Sequence, residues 1–347
     1  MVVVNMVSLG WKAGAEQYAP GELLEYAVTA EQAGFDALDV SDHFHPWAEQ
    51  GQASFAWTWL GAVAARTTRI RLGTGVTCPT LRYHPSIVAQ AAATLACLAG
   101  DRVFLGVGTG EALNEFSAVG QWPGYRVRQA QLAEAIELMK ALWKGEPVTH
   151  DGPSFQTHQA KIYSRPRQSI PIYISSLAPE SAYFAGLHGD GLFTVGGEEP
   201  EVYRDMLKNF AAGAKKAGRD ASRLPKLIEL SADFTGDKQA AIESRKRFWA
   251  GAMVPAMFTQ RLHTPALSEK NGKVVGADTI EQAGCISDRP EEHVDYARRY
   301  LDMGFDHLFF HSAGPDQKAF IQAYGSKVLP QLRKVAAAPA ETAASVA

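Results

Sequence analysis

Cysteine is scarce in this chain: three among 347 residues, Cys78, Cys97 and Cys285. They are odd in number and far apart, which excludes a disulfide framework and a zinc-ligand pattern and fits a reducing cytosol. An excess of one charge is missing too. Lys and Arg number 34 against 37 Asp and Glu, for a formal net charge of -3. Nucleic acid and anionic membrane are therefore not expected partners, because phosphate-backbone binding needs clustered cations. No apolar run reaches the roughly 18 residues that a membrane helix needs. Met1 to Leu9 shows neither the basic start nor the small-residue cleavage site of a signal peptide. Its Val2, Val3, Val4 and Val7 read instead as a buried first strand. The expected location is cytoplasmic.

What is present is apolar content, 46% of residues, enough for a large core. One phrase recurs: an amphipathic run, a glycine, then a short apolar strand. Gly34 precedes Ala37 to Val40, Gly189 precedes Leu192 to Val195, and Gly304 precedes His307 to Phe310. A left-handed glycine ends each helix and turns the chain into the next strand, which implies βαβ units and a parallel sheet. Ile70 to Gly73, Arg102 to Val107, Ile170 to Ser175 and Lys226 to Phe234 supply further strands. The count approaches eight, so the expected fold class is an α/β (β/α)8 TIM barrel rather than an open doubly wound sheet. Two stretches break the rhythm. Lys144 to Arg165, with His150-Asp151-Gly152-Pro153, reads as a hairpin; Gly251 to Thr279, with Pro255, Pro265 and Asn271-Gly272, reads as a lid over the substrate. The layout is one barrel domain over 1–334 with insertions near 144–165 and 251–279, and a disordered tail over 335–347.

Active sites of such barrels lie at the C-terminal ends of the strands. After strand two come Ser41, Asp42, His43, Phe44, His45, Pro46 and Trp47; after strand four come Gly106-Val107-Gly108-Thr109-Gly110-Glu111, then Asn114 and Glu115. His43 has the chemistry of a general base, since imidazole titrates near neutrality and a carboxylate can orient it; the plainer reading is a structural loop histidine. Trp47 stacks on a ring or simply closes the mouth. Glu111 follows three glycines that admit a ligand close to the backbone, or is a first-turn carboxylate favoured by the helix dipole. The glycine run fails as a dinucleotide fingerprint: it follows the fourth strand, and Glu111 stands where the last glycine belongs. An alternative is a metal-dependent hydrolase with His43 and His45 as ligands, helped by His311 and Asp233.

The segments Ala15-Glu16-Gln17-Tyr18-Ala19-Pro20, Val40 to Trp47 and Arg102 to Glu115 closely resemble the F420-dependent glucose-6-phosphate dehydrogenases of the bacterial luciferase-like superfamily. The similarity runs from about Lys12 to Leu332 and is weakest between Gly251 and Asp288. The resemblance implies hydride transfer from a hydroxyl carbon to coenzyme F420. It makes His43 the base, Glu111 the acid near the deazaflavin, Trp47 the wall of the reacting face, and Glu16 a member of the same pocket. It implies coenzyme contacts from Asp42, Gly75, Val76, Gly108, Thr109, Gly110 and Asn114. A non-prolyl cis peptide is implied at Gly75-Val76, and the coenzyme's tail phosphate near Ser176, Leu177, Ala178 and Pro179. It also implies a homodimer and a small-molecule alcohol or sugar substrate.

The match departs from the sugar-phosphate members at their cations. Thr194-Val195-Gly196-Gly197-Glu198-Glu199 lacks the expected Lys, and Glu281-Gln282-Ala283-Gly284-Cys285 lacks the expected Arg. In the lid, Arg261, Lys270 and Lys273 are substitutes or solvated surface charge. A dianion facing Glu198 and Glu199 is poorly held. The expected substrate is thus a neutral alcohol, an unphosphorylated sugar or a lipid-borne hydroxyl, met by Thr194, Arg261 and His263. Met253, Val254, Pro255, Met257 and Phe258 suggest an apolar wall, similar to the hydroxymycolic acid dehydrogenase branch.

Overall fold

The computed structural model describes residues 7–259 and 261–337. Eight parallel strands close into a barrel: β1 (Ser8–Ala13), β2 (Ala37–Val40), β3 (Arg71–Thr77), β4 (Val103–Val107), β5 (Ile172–Ser175), β6 (Gly191–Val195), β7 (Lys226–Phe234) and β8 (His307–His311). Each pairs with its neighbours in sequence order. The register Ser8 to His307 and Trp11 to Phe310 joins the last strand to the first.

Strand alternation sorts the side chains into two shells. Outward residues such as Leu9, Trp11, Leu38, Leu72, Leu105, Ile174 and Leu308 pack under the helices in the main core. Inward residues Ala37, Phe104, Tyr173, Phe193, Leu227 and Phe309 form a separate apolar plug inside the barrel. Above the plug the interior turns polar, with Lys12, Asp39 and His311 buried there.

The first strand starts at Ser8 and runs on to Ala13, beyond the expected Met1 to Leu9; residues 1–6 lie outside the described residues. Gly34 (φ 94°) and Gly304 (φ 107°) end their helices in the left-handed conformation, but Gly189 does not, with φ -92°. It is required for space instead: a Cβ there would stand 2.8 Å from Ile174 Cγ1. Val148–Asp151 and Gln156–Ala160 pair antiparallel as a hairpin. The longer insertion is helical, with Pro265–Gly272 and Ala277–Gln282 as its main pieces. A ninth strand, Gly284–Ser287, pairs with the end of β7 from Ser231 to Phe234; it was not anticipated. The helix Leu329–Ala337 corrects the start of the expected tail, because Leu329 and Leu332 bury an apolar stripe that carries the chain through residue 337. Residues 338–347 lie outside the described residues.

Candidate active site

Three loops at the C-terminal ends of β1, β2 and β4 meet over the polar interior. After β1, the amides of Gln17 and Tyr18 donate to the Gly14 carbonyl, a turn that folds Glu16 inward to 1% exposure. After β2 comes His43. Its Nδ1 lies 3.0 Å from Glu16 Oε1, and its Nε2 lies 3.7 Å from Glu111 Oε2 on the loop after β4. The imidazole thus stands between two carboxyl groups.

Asn114 fixes this arrangement. Its Oδ1 accepts from the Phe44 and His45 amides at 2.8 and 3.1 Å, while its Nδ2 donates to Glu111 Oε2 at 3.3 Å. One amide side chain therefore sets the loop of the imidazole against the carboxyl it faces.

Electrostatics divide the three groups. Burial, then the charges of Lys12 and Arg82, lower the His43 imidazole to about 3. Burial raises Glu16 to about 7 against the pull of Lys12. Burial, reinforced by Glu16 and Glu115, raises Glu111 to about 8. At neutral pH the site holds an uncharged imidazole beside a carboxyl that still carries a proton.

Trp47 is buried with its ring 5.3 Å from His43, edge to face, and 5.9 Å from Phe258 of the insertion. Leu113, Trp249 and Met257 belong to the same apolar cluster, so the insertion packs against the loop that carries His43.

Other expected residues fall out as follows. Asp42 is held by the protein: Thr77 Oγ1 and the Tyr83 hydroxyl each donate to it at 3.0 Å, and Arg82 also bonds its carbonyl. The Gly75–Val76 peptide is cis, as the resemblance implies. The glycines at the end of β4 and in the loop after it are needed by the protein itself. A Cβ on Gly106 would lie 2.1 Å from the Thr74 carbonyl, one on Gly108 would lie 2.9 Å from Val76, and Gly110 has φ +81°. Thr109 is tied through its carbonyl to Arg128. Ser176 is buried and bonds Ser181 and the Ala178 carbonyl. Leu177, Ala178 and Pro179 lead from it into the helix Pro179–His188.

The three expected substrate residues have other neighbours in the structure. Thr194 shares its face of β6 with Leu192, in the outer shell, and Val195 is the residue turned to the mouth, 43% exposed. Arg261 lies over the Phe116 ring at 4.9 Å, and His263 packs edge-on against the same ring at 4.8 Å.

Sequence reading missed Lys12 and Glu229. Both interrupt apolar strands at inward positions, and that period-two placement was the available signal. The residues of the metal-ligand alternative have partners within the protein. His311 faces Glu229 at 3.4 Å, Asp233 accepts from Ser312 and pairs with Arg245, and among the described residues no three His, Cys, Asp or Glu groups converge as ligands.

Comparison with known proteins defines the class first. The profile of the luciferase-like monooxygenases matches residues 3–307. The chain is 41% identical over 329 residues to the F420-dependent glucose-6-phosphate dehydrogenase of Nakamurella multipartita, covering 94% of this chain and 97% of that one. It is 42% identical to the enzyme of the same name from Nocardia farcinica, covering 95% and 99%. Among solved structures, an F420-dependent secondary alcohol dehydrogenase in complex with an F420-acetone adduct superposes with a TM-score of 0.90 at 35% identity, covering 94% of this chain and 99% of that one. The chain belongs to the luciferase-like family, in the group of F420-dependent dehydrogenases.

Proposed function

We propose that this protein is an F420-dependent oxidoreductase that takes hydride from the hydroxyl carbon of an alcohol or sugar. The observation that carries the reading is the His43 imidazole held between Glu16 at 3.0 Å and Glu111 at 3.7 Å at the barrel mouth. The pocket suits a polar ligand, because Glu16, His43 and Glu111 stand together at that end of the barrel. Gly75, Val76, Gly108, Thr109, Gly110 and Asn114 would hold the coenzyme's ring portion, with Asp42 behind them, and the Ser176 to Pro179 turn its tail phosphate. When bound, the deazaflavin supplies the carbon that accepts hydride.

The chain's own groups handle the protons. His43 Nε2 takes the hydroxyl proton, and Glu16, facing Nδ1, stabilises the resulting imidazolium. Glu111 holds a proton on its carboxyl, available to the other side of the pocket. Trp47 and Phe258 keep water from the reacting face.

The preferred substrate is a neutral alcohol or unphosphorylated sugar. Around the mouth stand Val195, Trp47, Leu113, Phe258 and Leu262. The loop of Glu198 and Glu199 is fixed by the Tyr203 hydroxyl, which accepts from the Glu198 amide and donates to the Val195 carbonyl. A phosphate dianion finds acids there rather than a fixed cation. The relative whose structure holds an acetone adduct supports the same class. The test follows loss of F420 absorbance with secondary alcohols, glucose and glucose 6-phosphate. Turnover of glucose 6-phosphate alone overturns the substrate assignment, and stabilisation by FMN but not by F420 overturns the coenzyme.

A cytoplasmic homodimer is part of this reading, supported by the sparse cysteine and by the family resemblance; light scattering of the purified protein tests the dimer.

A further inference from the structure

Lys12 points from β1 into the barrel and is 2% exposed. Its Nζ donates to Asp39 Oδ2 on β2 at 2.8 Å and to the Gly75 carbonyl on β3 at 2.7 Å, and stands 3.3 Å from Glu229 Oε2 on β7. Burial opposes its charge, but Asp39, Glu229 and Glu16 outweigh it and hold the ammonium above its ordinary range. From β8, His311 faces the same Glu229. No proton transfer described above uses Lys12.

A lysine present only to neutralise Asp39 and Glu229 would not need the third contact. Gly75 is the residue that follows β3's inward path to the mouth, and it has no room for a side chain, since a Cβ would lie 1.9 Å from Asp39 Oδ2. The ammonium, the Asp39 carboxylate and the Gly75 backbone are packed as one unit under the pocket wall. Above that unit the Lys12 charge acts on all three mouth groups: it disfavours the imidazolium of His43 and favours the carboxylates of Glu16 and Glu111.

We propose that Lys12 is a positioning residue for the reaction: it pins the Gly75 carbonyl, and with it the Gly75-Val76 wall of the coenzyme pocket, and sets a fixed positive charge beneath His43, Glu16 and Glu111. A charge held there by strand packing costs no reorganisation when protons move above it. The charged groups that face the mouth trio are Lys12 from β1, Arg82 after β3, Glu115 after β4 and Glu229 from β7, and of these Lys12 acts on all three members. The coenzyme half of this inference rests on the F420 reading; the electrostatic half does not.

The experiment uses Lys12→Met and Lys12→Arg. In coenzyme-free protein labelled with 13C at glutamate side chains, the carboxyl resonances of Glu16 and Glu111 are titrated, with Glu16→Gln and Glu111→Gln supplying the assignments. Lys12→Met moves both midpoints upward by about one pH unit, and Lys12→Arg leaves them near wild type. F420 binding, read by coenzyme fluorescence, weakens about tenfold or more in Lys12→Met and is largely rescued in Lys12→Arg. Unmoved midpoints in Lys12→Met overturn the proposal. If that variant does not fold, the double variant Lys12→Met with Asp39→Asn removes both buried charges, and wild-type F420 affinity in it overturns the proposal equally. Wild-type protein that fails to bind F420 counts against the coenzyme reading instead, and the carboxyl titration then decides the role of Lys12.

Discussion

Glu16 and His43 stand 3.0 Å apart with their facing atoms buried and no hydrogen bond aligned between them. The pair is poised rather than locked. A proton arriving at His43 Nε2 turns this contact into an ion pair, which ties the basicity of the imidazole to the ionisation of Glu16.

His43→Ala removes the proton acceptor and leaves the walls of the coenzyme pocket in place. Turnover should fall by about 10²-fold or more, with F420 affinity unchanged within about twofold. Steady-state kinetics beside a fluorescence titration check this, and undiminished turnover removes His43 from the mechanism.

The pH profile should be a narrow bell. Glu16 must ionise to support the imidazolium, so activity rises through about 7. Glu111 must keep its proton, so activity falls as pH passes about 8. These limbs belong to the coupled group rather than to single residues. Glu16→Gln should lose the acid limb and Glu111→Gln the alkaline one; kcat/KM measured from pH 5 to 10 would show a flat profile if neither group participates.

Stability should show the opposite face of the same carboxyl. Because folding raises the Glu111 carboxyl from its ordinary value to about 8, the folded state binds its proton more tightly than the unfolded chain. Stability from this group is therefore lost as pH rises from about 4.5 towards 8. Glu111→Gln should raise the Tm of coenzyme-free protein at pH 8, with the gain vanishing near pH 4. Equal Tm values at pH 8 contradict the strained carboxyl.

Asn114→Ala leaves the Phe44 and His45 amides without their acceptor and frees Glu111. An unsatisfied buried donor costs about 1–3 kcal/mol, so the variant should melt lower. Its kcat should also fall about tenfold while KM for the alcohol changes little. A normal kcat in a destabilised protein would reduce Asn114 to a structural role.

Phe258→Ala opens the insertion above Trp47. Loss of apolar contact should raise KM for a bulky alcohol more than for a small one, read from a homologous series of secondary alcohols. Equal effects along the series would place the substrate elsewhere.

The sequence alone determined the barrel and two sides of its mouth. Amphipathic runs, glycines and short apolar strands are local signals, and the rule that chemistry sits at strand C-termini turned them into His43, Trp47 and Glu111. Glu16 came from the resemblance, and the structure puts its carboxyl 3.0 Å from His43. Closure of the sheet decided the rest. Lys12, Asp39, Gly75 and Glu229 come from β1, β2, β3 and β7, and nothing in their spacing links them; only a barrel brings them to one point. Thr194 and Val195 differ by one position, and strand register alone settles which reaches the mouth. Gly106, which reads like a ligand-binding glycine, is fixed by the backbone of β3. Chain order encodes local geometry, whereas burial and charge at a site depend on what lies across the barrel, and those neighbours exist only once it has closed.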